Sequence, residues 1–381
     1  MPNSANSVVN TYDVILIGGG LAGLTASIRL AQKGRKVLVV ERKTYPFHRV
    51  CGEYVSNETL PYLRSLGFDP AAHGAAQIAN FRFTAPGGRA LDAPLDLGGF
   101  GLSRYVLDFE LFKLAEQVGV DFKLATTVGQ IERSKNDEFS IFNSQFSIAT
   151  APVVLASYGK RTRLDVALDR DFLRTRSPYV GVKYHVRTNF PADLIALHNF
   201  RDGYCGISAI EGGKFCLCYL TTRDNLRRHG SIPDIERKIL WRNPHLRRIF
   251  TESEFLYEKP EVINEISFAP KTSVENGVLM VGDAAGLITP LCGNGMAMAI
   301  HGGKLAADLT EEFLAGKISR EMLERRYAET WRRHFARRLW VGRQVQKLFG
   351  SERLSDFTAL AFGVARPLLG LVIRATHGRP F

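Results

Sequence analysis

An apolar run, a glycine turn and a second apolar run closing on a carboxylate constrain this chain more than any other feature. Tyr12-Asp13-Val14-Ile15-Leu16-Ile17 has the pattern of a buried parallel strand. Gly18-Gly19-Gly20-Leu21-Ala22-Gly23 then supplies G-x-G-x-x-G, and an Ala/Leu/Ile helix runs to about Gln32. The next strand, Lys36 to Val40, ends on Glu41. Gly18 permits the tight turn, Gly20 lets backbone approach a pyrophosphate, and Gly23 allows the helix to lie close on the strand. The free N–H groups of the helix start, at Leu21 and Ala22, together with its dipole, favour a phosphate. Glu41 can accept hydrogen bonds from ribose hydroxyls. A glycine turn alone is an ordinary loop; with the whole β-α-β context and its carboxylate it points to a dinucleotide.

The chain has 381 residues, of which 45% are hydrophobic, so it can bury a large core in two or three domains. Met1 to Thr11 is polar and lacks the apolar segment of a secretory signal. The five cysteines, Cys51, Cys205, Cys216, Cys218 and Cys292, form neither a C-x-x-C pair nor an even framework. A reducing cytoplasm, with no disulfide and no metal site, is the expected setting. The net charge is +12, with arginines concentrated between Arg320 and Lys347. There Leu323, Tyr327, Trp331, Phe335 and Leu339 recur every fourth residue. Such a helix either rests peripherally on an anionic membrane at its inner face or packs its apolar stripe on the core. No nucleic-acid module accompanies the charge, so nucleic acid is not an expected partner. The apolar stretch Phe357 to Ile373 is broken by Arg366-Pro367 and too short to span a bilayer. It fits a substrate tunnel, an interfacial segment, or two short core helices.

Further apolar elements follow. They are a helix from Glu58 to Leu66, a strand from Ala79 to Thr84, a helix from Leu107 to Val118, strands at Ser140–Phe142 and Gln145–Ala149, and a buried strand from Pro152 to Ala156. From Tyr179 to Ala269 the pattern changes to alternating, antiparallel-type strands at Val180–Val186, Leu194–Phe200, Cys205–Ile210, Phe215–Thr221 and Val262–Phe268, with one helix from Ile232 to Phe250. Gly277-Val278-Leu279-Met280-Val281 then returns to the buried-run pattern and ends on Gly282-Asp283.

That second strand end selects the cofactor. Asp283 can bond a ribityl hydroxyl. In Pro290-Leu291-Cys292-Gly293-Asn294-Gly295-Met296, Gly293 and Gly295 let amides approach a flavin pyrimidine. The helix starting at Met296 sets a positive dipole end beside N1 of reduced flavin. Two motifs so far apart in sequence specify FAD rather than NAD in the first site.

On these residues the chain resembles the glutathione-reductase-like FAD oxidoreductases. Within them it is most similar to the group of para-hydroxybenzoate hydroxylase-type monooxygenases, flavin halogenases and geranylgeranyl reductases. The resemblance covers about Tyr12 to Ala307. It implies an α/β fold: a glutathione-reductase-like FAD-binding Rossmann domain, an inserted antiparallel-sheet substrate domain and a helical C-terminus. The expected FAD-binding parts are 1–78, 102–178 and 270–315, the substrate-domain parts 79–101 and 179–269, and the basic and apolar C-terminal region 316–381. Arg104 is then an FAD contact, as are Arg42 and Arg49 beside the glycine turn. Arg49-Val50-Cys51-Gly52-Glu53 resembles the Cys-Gly segment that geranylgeranyl reductases place beside the flavin. Cys51 is thereby a proton donor, a flavin contact or an inert buried thiol, and Glu53 an acid or base. NADPH, NADH or another reductant is the expected electron donor.

Three departures qualify the resemblance. The family's Ala-Asp-Gly motif is replaced by Ala156-Ser157-Tyr158-Gly159, which loses the acidic residue and puts nicotinamide docking in doubt. The halogenase Trp-x-Trp-x-Ile-Pro segment does not occur. The reductase Tyr-x-Trp-x-Phe-Pro segment survives only as Tyr204 in Tyr204-Cys205-Gly206-Ile207-Ser208-Ala209. Small residues there open space above a flavin and weaken an isoprenoid clamp. The leading expectation is a monooxygenase that hydroxylates a lipophilic or aromatic substrate through a flavin hydroperoxide, with Tyr184, His185 or Tyr204 orienting a phenol. The alternative is saturation of prenyl or polyene double bonds by reduced FAD.

Overall fold

The computed structural model describes residues 10–144, 146–175, 177–289, 293–348 and 377–381. The two apolar runs of the opening motif form adjacent parallel strands, Val14–Ile17 and Val37–Val40. Val153–Ala156 pairs with the other edge of the first strand, placing Val14 opposite Val153, and Val278–Met280 pairs in parallel beyond it. Asp121–Lys123 lies outside Val37–Val40, and a short antiparallel strand, Val274–Glu275, closes the sheet. The Val14–Ile17, Val37–Val40, Val153–Ala156 and Val278–Met280 strands are buried throughout. That explains their uninterrupted apolar character, since both faces of a parallel sheet are covered. Helix Leu21–Ala31 lies against helix Gly295–Leu314, so close that a Cβ on Gly303 would come within 2.6 Å of the Ala22 carbonyl oxygen.

The second sheet is built around antiparallel strands Tyr179–Arg187, Phe215–Thr222, Gly203–Ala209 and Leu194–Phe200. Ala76–Thr84 joins Leu194–Phe200 in parallel, and Ala90–Gly101 and Tyr54–Ser56 follow. One face carries Val180, Val182, Tyr184, Leu217 and Tyr219 into a core with Ile235, Leu246 and Ile249. The pleat therefore sends Lys183, His185, Cys216 and Cys218 to the opposite face. Register tightens the grouping: His185 sits opposite Cys216 and Lys183 opposite Cys218. A third sheet comprises Gln130–Arg133, Phe139–Phe142 and Ser147–Ala151.

Several elements differ from the sequence reading. The expected helix Ile232–Phe250 is broken into Ile232–Lys238, a 3-10 turn Leu240–Arg242 and Pro244–Glu252. Pro244 has no N–H to continue the first helix, and the Asn243 side chain caps the last one through the His245 amide. The Val262–Phe268 strand is Glu261–Asn264 and stops where Glu265 adopts φ +58°. The Glu58–Leu66 helix begins as a 3-10 turn, Asn57–Thr59, before Leu60–Ser65.

The arginine-rich segment is one helix, Arg320–Leu348, and Leu323, Tyr327, Trp331, Phe335 and Leu339 are all buried in the main core. Its apolar stripe is thus used for packing, while Arg325, Arg332, Arg333 and Arg337 are exposed. Among the described residues no helix is long and apolar enough to cross a membrane. The stretch Phe357–Ile373, and Pro290-Leu291-Cys292 of the second motif, lie outside the described residues.

Candidate active site

A cavity of about 990 Å³ joins the glycine turn to the inner face of the antiparallel sheet. That is at the top of the roughly 300–1,000 Å³ range of small-molecule sites. The parallel-sheet side contributes Gly18, Gly20, Leu21, Ala22, Glu41, Arg42, Arg49 and Arg104, and the later motif contributes Gly282, Asp283, Gly293, Gly295 and Met296. Cys51, Glu53 and Tyr204 line the same cavity. Part of the lining is apolar: Phe81, Phe83, Ile195, Leu197, Leu220 and Ile266. Of the residues expected to contact FAD, only Gly23 stays off the wall. It does what close packing requires, since a Cβ there would lie 2.2 Å from the Gly18 carbonyl oxygen. Gly18 itself has φ +105°, open to glycine at little cost.

Glu41 is buried and oriented by the chain around it. It accepts from the Gly19 amide at 2.9 Å and the Lys43 amide at 3.1 Å. Helix Leu21–Ala31 has no side-chain cap, so its first-turn donors remain available on the cavity side. Arg104 is placed by helix Arg104–Gln117, which Ser103 caps through the Val106 amide. It grips Asp108 with two bonds of 2.6 and 2.8 Å, and Arg49 bonds the same carboxylate at 2.9 Å. Asp108 was not read from the sequence; its signal was the i,i+4 spacing from Arg104. Asp283 is pushed above its ordinary value by burial, opposed by the charges of Lys271, Arg104 and Arg49.

Glu53 is the most constrained residue of the site. It is fully buried at φ +56°, a conformation that a non-glycine side chain holds only when its surroundings insist. Its carboxylate accepts from Lys183 Nζ at 2.5 Å, His185 Nε2 at 2.6 Å and the Arg104 amide at 2.8 Å. Burial alone pushes Glu53 up, but the Lys183 charge and the His185 hydrogen bond outweigh it and hold the carboxyl at about 2. At neutral pH Glu53 is therefore an anion that positions two donors. Burial alone would lower Lys183, and Glu53 reverses that and raises it. His185 and Tyr184, expected to orient a phenol, are not on the cavity wall. Tyr184 points to the helical side and donates to Glu236 at 2.9 Å.

The thiols form a second group. Cys51 is half-buried on the wall, and Cys216 donates to its carbonyl at 3.2 Å. Burial raises the Cys51 thiol above its ordinary value, against the Arg104 charge and the Glu53 amide that would stabilise a thiolate. Cys218, also on the wall, is pushed up to about 12 by burial. Ligand atoms of Glu53, His185 and Cys216 lie within 4.8 Å of one another, the spacing of a metal site. The Lys183 ammonium already supplies the cation for that carboxylate, so the group is chemically an ion-pair cluster. Lys183 and His185 were legible as polar residues two apart in an otherwise apolar strand, hence on one face. Nothing local linked them to Glu53.

A family model described as an FAD binding domain matches residues 13–48, the turn and its two strands. The chain is 24% identical over 374 residues to digeranylgeranylglycerophospholipid reductase 2 of Methanopyrus kandleri, covering 93% of this chain and 91% of the relative. It is 27% identical to conditioned medium factor receptor 1 of Dictyostelium discoideum, over 88% of this chain and 70% of the relative. Among solved structures, flavin-dependent brominase Bmp2 superposes with a TM-score of 0.78 at 18% identity, covering 96% of this chain and 93% of that one.

Proposed function

We propose, from the premise that this chain is a divergent member of the FAD-dependent oxidoreductase superfamily that holds geranylgeranyl reductases, para-hydroxybenzoate hydroxylase-type monooxygenases and flavin halogenases, that it saturates carbon–carbon double bonds of a lipophilic substrate. The residues fit the cofactor: a glycine floor, an uncapped helix start, the oriented Glu41 and the Asp283 wall all face one cavity. Gly18, Gly20, Leu21 and Ala22 would hold the pyrophosphate, Glu41 the adenosine ribose, and Asp283, Gly293, Gly295 and Met296 the ribityl and pyrimidine. When bound, FAD supplies the hydride.

One observation carries the choice of reaction: a thiol that keeps its proton stands on the wall of a cavity that Phe81, Phe83, Ile195, Leu197 and Leu220 also line. Adding hydrogen across a double bond also consumes a proton, and an apolar pocket holds little water to give one. Cys51 then acts as the acid. The thiolate it leaves behind faces the Glu53 amide and the charges of Arg104 and Lys183. The full-length similarity to a prenyl-lipid reductase supports the same reading.

Hydroxylation, the reading the sequence favoured, remains the second proposal. It is supported by the small residues Gly206 and Ser208, which line the cavity where the reductase pattern has bulky aromatics. High-resolution masses of lipid extracts from cells with and without the active gene separate the two. Pairs of added hydrogens support reduction; one added oxygen replaces it with hydroxylation. NADPH or NADH is the proposed donor, tested by anaerobic bleaching of the yellow holoprotein. For a lipid-borne substrate, the exposed Arg325, Arg332, Arg333 and Arg337 are the proposed contacts with an anionic membrane. Co-sedimentation with anionic vesicles tests that contact.

A further inference from the structure

The residue that starts the helix beside the proposed flavin pyrimidine does not cap it. Asn294 precedes helix Gly295–Leu314, a position from which an asparagine side chain ordinarily accepts from the first amides of its own helix. Here it makes no such bond, and its side chain turns instead to Glu58. The first amides of the helix, next to Gly293 and Gly295 on the cavity wall, are thereby left for a ligand.

Glu58 is held at this spot by its own local structure. It lies in the 3-10 turn Asn57–Thr59, directly after strand Tyr54–Ser56, and the Ser56 hydroxyl accepts from the Glu58 amide. The Tyr54 ring packs on Gly293, where a Cβ would be 3.5 Å from Tyr54 Cδ1, so turn and loop are packed together. The Glu58 side chain has no exposure, and Arg338 Nη1 of the arginine-rich helix stands 3.5 Å from its Oε1. Gly378 covers the pair: a Cβ there would collide with Glu58 Oε2 and Arg338 Nη2. Burial works against both charges, raising Glu58 and lowering Arg338, and each is the other's counter-charge. His301 and His334 beside Arg338 are lowered by burial and neutral at pH 8. Lys304 is matched by Asp308 at 2.8 Å.

A lone anion behind that loop would oppose electrons arriving on a flavin, and a lone cation would favour them. We propose that Glu58 and Arg338 are a matched charge pair that sets the reduction potential of FAD bound at the start of helix Gly295–Leu314. This rests on placing the flavin pyrimidine at Gly293, Gly295 and Met296. The carboxylate draws Asn294 off the helix start, and Arg338 cancels the charge that the carboxylate brings. Neither side chain lines the cavity. Both act through Asn294 and through the electric field at the loop, and are positioning residues.

The test is the two-electron midpoint potential of the FAD-loaded protein, measured anaerobically at pH 8 against a reference dye during slow reduction by xanthine oxidase. Glu58→Gln keeps an acceptor for Asn294 but strands the Arg338 cation. It should bind FAD stoichiometrically and shift the equilibrium at least tenfold toward the reduced form, about 30 mV upward. Adding Arg338→Met removes the stranded charge and should return the equilibrium to within threefold of wild type. Arg338→Gln alone strands the carboxylate and should move the potential the opposite way at pH 9; it decides the matter if Glu58→Gln does not fold. Wild-type potentials in both single variants overturn the pair, as does a shift in Glu58→Gln that the second substitution leaves in place. Gly295→Val separates that failure from a misplaced flavin. Gly295 lines the cavity, and a Cβ there meets Ile288 Cγ2 at an ordinary 3.6 Å. The variant should weaken FAD at least tenfold by fluorescence titration. Wild-type FAD affinity in Gly295→Val overturns the placement, and the pair with it.

Discussion

Replacing Glu53 by glutamine tests the electrostatic core of the site. Holding this carboxyl at about 2 instead of its ordinary 4.5 corresponds to about 3 kcal/mol in favour of the folded anion. A second route agrees: removing one partner of a buried pair costs about 3–5 kcal/mol, because the remaining charge is left unmatched. Lys183, with no side-chain exposure, is that remaining charge. E53Q should therefore lose about 3 kcal/mol at pH 7. At a urea dependence of about 3 kcal/mol per M, its midpoint drops by on the order of 1 M. The pH trend has a definite sign. The folded value is depressed, so the wild-type advantage is complete above about 4.5 and drains away as pH falls toward 2. The gap between the proteins should close over that window, followed by far-UV circular dichroism in urea at pH 7, 5, 4 and 3. Removing both charges, as in E53Q with Lys183→Met, should recover much of the loss. A gap below about 1 kcal/mol at pH 7, or one unchanged at pH 3, would refute the reasoning.

Gly23→Ala places a Cβ 2.2 Å from the Gly18 oxygen and 2.7 Å from Ser157 Oγ; the protein should purify colourless, as measured by FAD absorbance per chain. Asp108→Asn removes the charge shared by Arg104 and Arg49 and should weaken FAD retention at least tenfold by fluorescence titration, while Tyr105→Ala, on the same helix but exposed, should not. Trp331→Ala, in the buried stripe of the arginine-rich helix, should lower stability by about 3–5 kcal/mol in urea unfolding, with vesicle binding unchanged. Cys51→Ser should keep stoichiometric FAD yet lose double-bond reduction, read by product mass.

The nucleotide half of this site was legible because its information is local. Gly18 to Glu41 encodes turn, helix start and carboxylate within a single β-α-β unit, and Gly18, Gly20, Leu21, Ala22 and Glu41 line one cavity. The chemistry beside it was not, because it depends on register between distant strands. Lys183 and His185 reach Glu53 only because Tyr179–Arg187 turns its odd-numbered residues away from the core beneath the sheet, while Tyr184, one step along, belongs to that core. Asking which face each polar residue occupies would have separated His185 from Tyr184, but not found Glu53. The helix predicted across Ile232–Phe250 failed for a simpler reason: Pro244 was treated as an interior residue when it begins a new helix.

The parallel sheet also dictates when the protein can become itself during synthesis. Ser157 Oγ bonds the carbonyl of Gly18 across 139 positions, and Arg35 meets Glu311 across 276. Closing such spans adds only about 0.6 kcal/mol per doubling of loop length, yet they must close before the contacts that reward them exist. On the ribosome the Val14–Ile17 strand finds Val37–Val40 early but waits for its other neighbour, Val153–Ala156, and the floor of the nucleotide cavity waits for Val278–Met280 and the helix beyond it. Until then Val153–Ala156 has an open apolar edge, the kind that recruits wrong partners.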